Sequence, residues 1–329
     1  MNLSTQSTQI QVQPKLIIHG GAGSSLQSKG GLATVRRSLH TIIEDVYSML
    51  LSGVSASEAV VRGCQLLEDD PRFNAGTGSV LQSDGQIRMS ASFMNGTSGK
   101  FSGVINVSRV KNPIEMALFL QQSPDRVLSD HGSLELAREL QVPSYNALTD
   151  LRLKEWIQER EDKFKRTMAG VIAEPETPDP EAGRGTIGVV ALDTFGQLAA
   201  GTSTGGKGFE RIGRVSDSAM PAGNYATKYA AISCTGIGED IIDECLAAKI
   251  AVRVSDGMSL KEAMWRSFTE ASKNQRDLGA IALDSKGNIS YGKTSEILLA
   301  AYHNGQSIGD TLEWNDGELV GIESSQPVS

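Results

Sequence analysis

The stretch TIGVVALDTFGQLAAGTST at 186–204 returns as DLGAIALDSKGNISYGKTS at 277–295, an offset of 91 residues. Gly188, Ala191, Leu192, Asp193, Gly196 and Gly201 pair with Gly279, Ala282, Leu283, Asp284, Gly287 and Gly292. Each copy reads as an apolar strand, a turn containing glycine, and a return strand. A hairpin demands antiparallel pairing. Yet VVAL and AIAL are apolar without alternation, which demands cover on both faces of the sheet. Two stacked sheets with helices outside them satisfy both demands. The expected fold class is therefore α/β, a four-layer α/β/β/α sandwich.

Other segments supply strands and helices. Lys15 to His19 reads as a buried strand entering a tight turn at Gly20 to Gly23. Leu32, Val35, Leu39, Ile42, Val46 and Met49 recur at helical spacing, and Gly53 ends that helix. Ser55 with Glu58 makes a capping box for a second helix, through about Glu68. Ser79 to Ser83 and Gln86 to Met94 suggest a hairpin around Asp84-Gly85. Gly103 to Ser108 is a further strand, and Asn112-Pro113 starts a helix. A long charged helix is expected from about Asn146 to Met168. Two more lie between the repeat copies, about Glu239 to Arg253 and about Leu260 to Ser272. Ser259 with Glu262 caps the latter.

One stretch breaks this pattern. Residues 174–185, EPETPDPEAGRG, hold three prolines and four acids, which suit neither a helix nor a central strand. An exposed, mobile linker is expected, running straight into the strand that begins at Thr186. The 329 residues suit a single domain at 15–320 behind a disordered tail at 1–14. The net charge of −8 argues against general binding to nucleic acid or an anionic membrane. The one dense basic run, Lys163, Lys165 and Arg166, reads as a solvated helix face. Three cysteines without CxxC spacing suggest neither a disulfide framework nor a thiolate metal site. Met1 to Gln13 lacks the basic start and apolar run of a secretion signal, so a cytoplasmic setting is expected.

Several motifs fail for want of context. Gly201-Thr202-Ser203-Thr204-Gly205 matches the GxSxG elbow of serine hydrolases, but that motif needs a helix straight after the serine. Here GGKGFERIGR follows. The same glycines match GxxxxGK, but Gly208 stands where a phosphate-binding loop needs Ser or Thr. The four histidines, at 19, 40, 131 and 303, have no paired-ligand spacing for zinc.

Thr186 offers more. As an ordinary residue it is a β-branched start to a strand. If the chain were cut after Gly185, the threonine would carry its own α-amine. Such an amine titrates near roughly 7.7–8.0, suited to act as a base at neutral pH. Hydroxyl and base would then share one residue, and no histidine would be needed. Glycine before it tolerates a strained peptide able to rearrange to an ester and break. Thr202, Ser203 and Thr204 end the strand expected beside it. Arg214 and Asp217 in GRVSDS suit a carboxylate and an ammonium, although a local ion pair is the plainer reading. Thr235-Gly236-Ile237-Gly238 ends a strand and opens a helix, where free N–H groups can stabilise an oxyanion.

IIHGGAG (17–23), PRFNAGTGSVL (71–81), GTIGVVALD (185–193), GTSTGGKGFERIGRVSDS (201–218) and SCTGIGED (233–240) together resemble the plant-type asparaginase and isoaspartyl aminopeptidase family of N-terminal-nucleophile hydrolases. The likeness runs from about Lys15 to His303. It implies a self-cleaved hydrolase of β-aspartyl dipeptides and asparagine. Residue by residue it implies Thr186 as nucleophile, Thr204 as its helper, and Thr235 with the backbone of Gly236 as oxyanion donors. It places Arg214 and Asp217 as substrate clamp beside Gly236 and Gly238, and Asn74 as the residue positioning the nucleophile. Cleavage between Gly185 and Thr186 would give chains 1–185 and 186–329, paired as a dimer of heterodimers. No cofactor is implied for catalysis. A structural sodium would be held by backbone carbonyls of Leu67, Glu68, Asp70, Phe73, Ala75 and Thr77. Ser90 stands where relatives often have aspartate, and Arg184-Gly185 replaces the His-Asp of glycosylasparaginases. The readings left open are a serine hydrolase using Ser203 and an uncut, inactive binding scaffold. The relative preference for asparagine and β-aspartyl dipeptides, and the leaving group, are also left open.

Overall fold

The computed structural model describes residues 12–23, 30–161, 185–314 and 317–324. The linker at 174–184, most of the N-terminal tail, and the run Lys163, Lys165 and Arg166 lie outside the described residues.

The fold is mixed α/β. One antiparallel sheet is built from β1 (Lys15–Gly23), β2 (Met89–Asn95), β3 (Lys100–Val107), β4 (Val127–Ser129), β5 (Ile187–Leu192), β6 (Leu198–Thr204), β11 (Ile297–His303) and β12 (Ile308–Asp310). Its order is β12-β11-β1-β5-β6-β2-β3-β4, with only the β3–β4 pair parallel. A second sheet takes β7 (Asn224–Ala226), β8 (Ala230–Gly236), β9 (Leu278–Asp284), β10 (Ile289–Lys293) and β13 (Val320–Glu323), in the order β13-β10-β9-β8-β7.

The sequence repeat is one hairpin in each sheet, β5–β6 in the larger and β9–β10 in the smaller. The turns are built alike. Asp193 Oδ1 accepts the N–H groups of Phe195 and Gln197, and Asp284 Oδ1 those of Lys286 and Asn288. Gly196 and Gly287 follow at φ 76° and 82°, where a side chain would be strained. Asp193 also accepts the N–H of Ala56 (2.9 Å), which ties this turn to the start of a helix.

Helices α1 (Leu32–Leu51), α2 (Ala56–Asp69) and α3 (Pro113–Phe119) pack on the larger sheet. α1 buries Val35, Leu39, Ile42, Val46 and Leu50, the i, i+3, i+4 stripe its sequence spells out. The Ser55–Glu58 capping box of α2 is present in full. Two further helices, α4 (Asp130–Glu139) and α5 (Asp150–Glu161), follow α3, and α6 (Gly238–Glu244), α7 (Leu246–Ser255) and α8 (Leu260–Lys273) lie between the repeat copies. α7 and α8 pack on the smaller sheet. One apolar cluster joins Leu39, Val46 and Val60 to Val189 and Ala191. Another joins Ile250, Met264 and Phe268 to Cys234 and Ala280. A third lies between the sheets, Ile17, Val190 and Ala200 against Ala231, Ile281 and Leu283. Each fully buried Val, Leu, Ile, Phe or Met among these stabilises by roughly 1.5–3 kcal/mol.

Four expectations are corrected. The Asp84-Gly85 turn forms, with Gly85 N–H on Gln82 O (2.9 Å), but no strand covers 79–83. That backbone bonds elsewhere: Ser83 N–H to Glu210 O and Phe209 N–H to Leu81 O. The hairpin partner of β2 is β3 instead. The helix expected over 146–168 starts at Asp150, where Thr149 Oγ1 caps Arg152 N–H (3.3 Å), and its described part ends at Glu161. The helix expected over 239–253 is two, broken at Cys245 (φ 46°, ψ 44°), because the amides of Ala247 and Ala248 donate to Ala222 and Pro221. The Gly20–Gly23 segment is no tight turn. It continues β1, with a bulge between His19 and Ala22.

Candidate active site

β5 and β6 pair so that Ile187 faces Ser203, which sets Thr186 beside Thr204 at the end of the hairpin. Along β6 the side chains alternate. Gly201 and Ser203 face α2, where space beside Gly201 is closed by Val60 and Cys64. Thr202 and Thr204 face the smaller sheet. Thr186 Oγ1 donates to Thr204 Oγ1 (3.2 Å), and Thr204 Oγ1 accepts the N–H of Gly206 (3.1 Å). From the other sheet, Thr235 at the end of β8 accepts the N–H groups of Thr186 (3.3 Å) and Ala22 (3.1 Å) on Oγ1. Two sheets thus meet at one residue.

Asn74 is fully buried and bonds on all sides. Its Nδ2 donates to Gly185 O (3.0 Å) and Gly206 O (2.7 Å), and its Oδ1 accepts the N–H of Val80 (3.0 Å). Its amide grips the carbonyl just before Thr186, and it makes no bond to the Thr186 hydroxyl. Gly185 itself has φ 72°, and a Cβ there would lie 2.5 Å from the Cα of Gly21. Gly21 returns the constraint: at φ 122°, its Cβ would lie 2.8 Å from the Cα of Gly185. Gly21 of IIHGGAG therefore serves a close backbone approach at the Gly185–Thr186 junction.

Thr186, Thr204, Arg214, Asp217, Gly236 and Gly238 line one cleft. Asp217 is buried, and its Oδ2 has no hydrogen-bond partner. Burial lifts its carboxyl from the ordinary 3.8 to about 7, against the pull of Arg214. Arg214 is held by Glu239, Nε to Oε1 at 2.7 Å and Nη2 to Oε2 at 3.0 Å. Both groups press on Gly238, where a Cβ would lie 2.7 Å from Arg214 Nη2 and 2.9 Å from Asp217 Oδ1. The loop is braced from behind: Asn106 Nδ2 donates to Arg214 O (3.2 Å) and Ser92 Oγ to Ser218 O (2.5 Å). A buried carboxylate with a free oxygen beside a guanidinium is able to bind a group that carries both charges.

Ser203 is elsewhere. Its Oγ donates to Glu68 Oε1 (2.6 Å), which also accepts the N–H of Ile114 (3.2 Å). Burial lifts Glu68 to about 8, opposed by the Ser203 bond. Fully buried on the helix side of the sheet, Ser203 has no histidine partner and no access to the cleft.

The loop that the family resemblance assigns to sodium closes up around glycines. A Cβ on Gly76 would lie 2.3 Å from Glu68 O, and one on Gly78 would lie 2.9 Å from Phe73 O. Two of the six carbonyls already accept a hydrogen bond: Glu68 O from Thr77 (2.7 Å) and Asp70 O from Phe73 (3.1 Å). Each keeps a second lone pair, so the set is compatible with a cation.

Sequence reasoning missed His19, Ser233 and Glu239. His19 Nε2 lies 2.9 Å from Ser233 Oγ, which lies 2.6 Å from Thr202 Oγ1. Burial holds the imidazole near 3, hence neutral, with the Thr186 backbone pulling the other way. Gly188 makes room for this network, since a Cβ there would lie 1.9 Å from Ser233 Oγ. For His19 and Ser233 the signal in the sequence was a polar residue in an otherwise apolar strand; Glu239, in the first turn of α6, carried none.

Known proteins resemble this chain over most of its length. A family described as asparaginase matches residues 12–313. An isoaspartyl peptidase/L-asparaginase of Nostoc sp. is 77% identical over 312 residues, covering 94% of this chain and 98% of that one. One of the same name from Synechocystis sp. is 66% identical over 311 residues, covering 94% of each. A plant-type L-asparaginase of Pyrococcus horikoshii is 34% identical over 297 residues, covering 87% of this chain and 95% of that one. With a match across nearly the whole length and the cleft residues gathered in one place, the chain belongs to the asparaginase family.

Proposed function

We propose that the protein is an isoaspartyl peptidase and L-asparaginase that cuts itself between Gly185 and Thr186. The observation that carries this reading is the junction itself: Thr186 Oγ1 against Thr204, with the Gly185 carbonyl held by Asn74. In self-cleavage, Thr186 Oγ attacks the Gly185 carbonyl carbon and its proton passes to the departing Thr186 nitrogen. Negative charge develops on Gly185 O, where Asn74 Nδ2 already donates. The C–N bond breaks in that step, which frees the α-amine; water then hydrolyses the ester, restoring the Thr186 hydroxyl and releasing the Gly185 carboxylate.

In the cut enzyme that amine takes the proton of Oγ, and Oγ attacks the side-chain carbonyl of asparagine or of a β-aspartyl residue. Both lone pairs of Thr235 Oγ1 are engaged by N–H groups. Its hydrogen therefore remains to donate, with Gly236 N–H, to the new oxyanion. The protonated amine hands its proton to the leaving nitrogen, and water hydrolyses the acyl-threonine to release aspartate. Arg214 holds the α-carboxylate and Asp217 the α-ammonium, beside the backbone of Gly236 and Gly238. Losing either partner of such a buried charge typically costs about 3–5 kcal/mol.

The same proposal takes the whole as a four-layer α/β/β/α sandwich, supported by one apolar cluster between helices and each sheet and a third between the two sheets. The fragments 1–185 and 186–329 stay together because β5 is hydrogen-bonded to β1, and β6 to β2. A structural sodium on the carbonyls of Leu67, Glu68, Asp70, Phe73, Ala75 and Thr77 is part of this reading, supported by the tight loop around Gly76 and Gly78. A cytoplasmic dimer of heterodimers follows the family resemblance. No described helix is long and apolar enough to cross a membrane.

The test is a denaturing gel beside a substrate panel. The 35.0 kDa chain should split into bands of about 20 and 15 kDa, in proportion to its two fragments. Asparagine and β-Asp-Leu should be hydrolysed, while α-Asp-Leu and N-acetyl-β-Asp-Leu, each lacking one clamped charge, should not. Activity in a chain that stays one band would overturn the mechanism. Equal rates on the α- and β-linked peptides would overturn the clamp.

A further inference from the structure

The clamp accounts for the aspartyl half of a β-aspartyl dipeptide and leaves the departing residue unplaced. Geometry limits where that residue goes. The bond to be broken lies at Thr186 Oγ1, and the α-groups of the aspartyl half lie toward Arg214 and Asp217. The cleft is also lined by Gly185, Gly206 and Lys207, a wall that the clamp leaves to the departing residue.

The backbone of that wall is firmly held. Gly206, at φ 95°, donates to Thr204 Oγ1 (3.1 Å) and accepts Asn74 Nδ2 (2.7 Å). The N–H of Lys207 donates to Glu210 Oε1 (3.3 Å), and a Cβ on Gly206 would strike that oxygen at 2.1 Å. The base of Lys207 is thus fixed beside the nucleophile. Its side chain is exposed, and among the described residues it forms no ion pair. Glu239 across the cleft feels its charge but is already bound by Arg214 (2.7 Å).

What leaves a β-aspartyl dipeptide is an amino acid with a free α-carboxylate, and ammonia leaves asparagine. We propose that Lys207 binds the α-carboxylate of the departing residue, so that β-aspartyl dipeptides with a free C-terminus are favoured over C-terminally amidated ones. This rests on the β-aspartyl reading above. A flexible, exposed lysine suits a carboxylate whose position shifts with the side chain of the departing residue, because it acts as a point charge on a long stem.

The experiment compares kcat/KM on β-Asp-Leu and β-Asp-leucinamide for the self-cleaved wild type, Lys207→Met and Lys207→Glu. The wild type should prefer the free acid by about two- to fivefold, the range an exposed ion pair supplies. Lys207→Met should bring the ratio to about one, and Lys207→Glu should invert it. The wild-type preference should also shrink in about 1 M salt, where the Debye length is about 3 Å. A wild type without preference, or variants that keep the wild-type ratio even as both rates fall, overturns the role of Lys207 alone. A wild type that hydrolyses neither peptide removes the β-aspartyl reading and this inference with it.

Discussion

Replacing Asn74 by alanine should stall self-cleavage in a chain that still folds. Asn74 Nδ2 donates to the carbonyl of Gly185 at 3.0 Å, the oxygen on which charge develops when Thr186 attacks. Removing one such prearranged donor typically slows a reaction by about 10²–10³-fold, or about 2.7–4 kcal/mol of barrier. A wild-type half-time of an hour would become roughly four days to six weeks on that scale. The variant also strips Val80 N–H and Gly206 O of partners, at about 1–3 kcal/mol for each buried group left unsatisfied. A typical domain stability of about 5–15 kcal/mol absorbs much of that loss. The assay follows freshly synthesised chain on a denaturing gel, with far-UV circular dichroism and urea unfolding confirming the fold. A folded Asn74→Ala that cleaves within about threefold of wild type would refute the argument, since the donor would then contribute under about 1 kcal/mol.

Thr186→Ala should be folded, uncut and inactive, seen as one band on the gel and no ammonia released from asparagine. Ser203→Ala should still self-cleave, because Ser203 Oγ faces Glu68 on the far side of β6; an uncut Ser203→Ala would revive the serine reading. Gly21→Ala should destabilise by about 1–3 kcal/mol in urea and slow self-cleavage, since its Cβ would lie 2.8 Å from Gly185 Cα at φ 122°. Unchanged values would mean the two backbones do not touch. Asp217→Asn tests the buried carboxyl through pH. Burial lifts Asp217 from 3.8 to about 7, so between those values the native chain holds a proton that the unfolded chain releases. Native stability therefore falls as pH rises through that window. The Tm of Asp217→Asn minus that of wild type should widen from pH 4 to 7 and then level off; a constant difference would contradict the burial.

How far the sequence could be read depended on the range of the interactions involved. The repeat hairpins were legible because their turns are local: Asp193 and Asp284 bond amides two and four residues on, and Gly196 and Gly287 take the left-handed position. The capping box at Ser55 and the cap that Ser259 Oγ gives Glu262 N–H are local in the same way, as is the stripe of α1. The break at Cys245 was not legible, because the amides beyond it bond to Pro221 and Ala222, residues brought near by another loop. Nor was the failure of the 79–83 strand, whose backbone is claimed by Phe209 and Glu210.

The candidate site divides along the same line. Thr186 after a glycine, the TSTGG and GRVSDS runs and the TGIG turn carry their chemistry in their own residue types, and the sequence alone singled them out. Tertiary structure decided what each one faces. Strand alternation could separate Thr204 from Ser203, but only the stacking of two sheets said which side held the cleft. His19 meets Ser233 across 214 residues, and Asn74 meets Gly185 across 111. Gly21 lies against Gly185 only because β1 and β5 are neighbours in one sheet. Residue types and spacing encode which groups a chain owns and which local turns it makes. Which of those groups share a water-excluded space is set by how the sheets pack, a property of the folded chain as a whole.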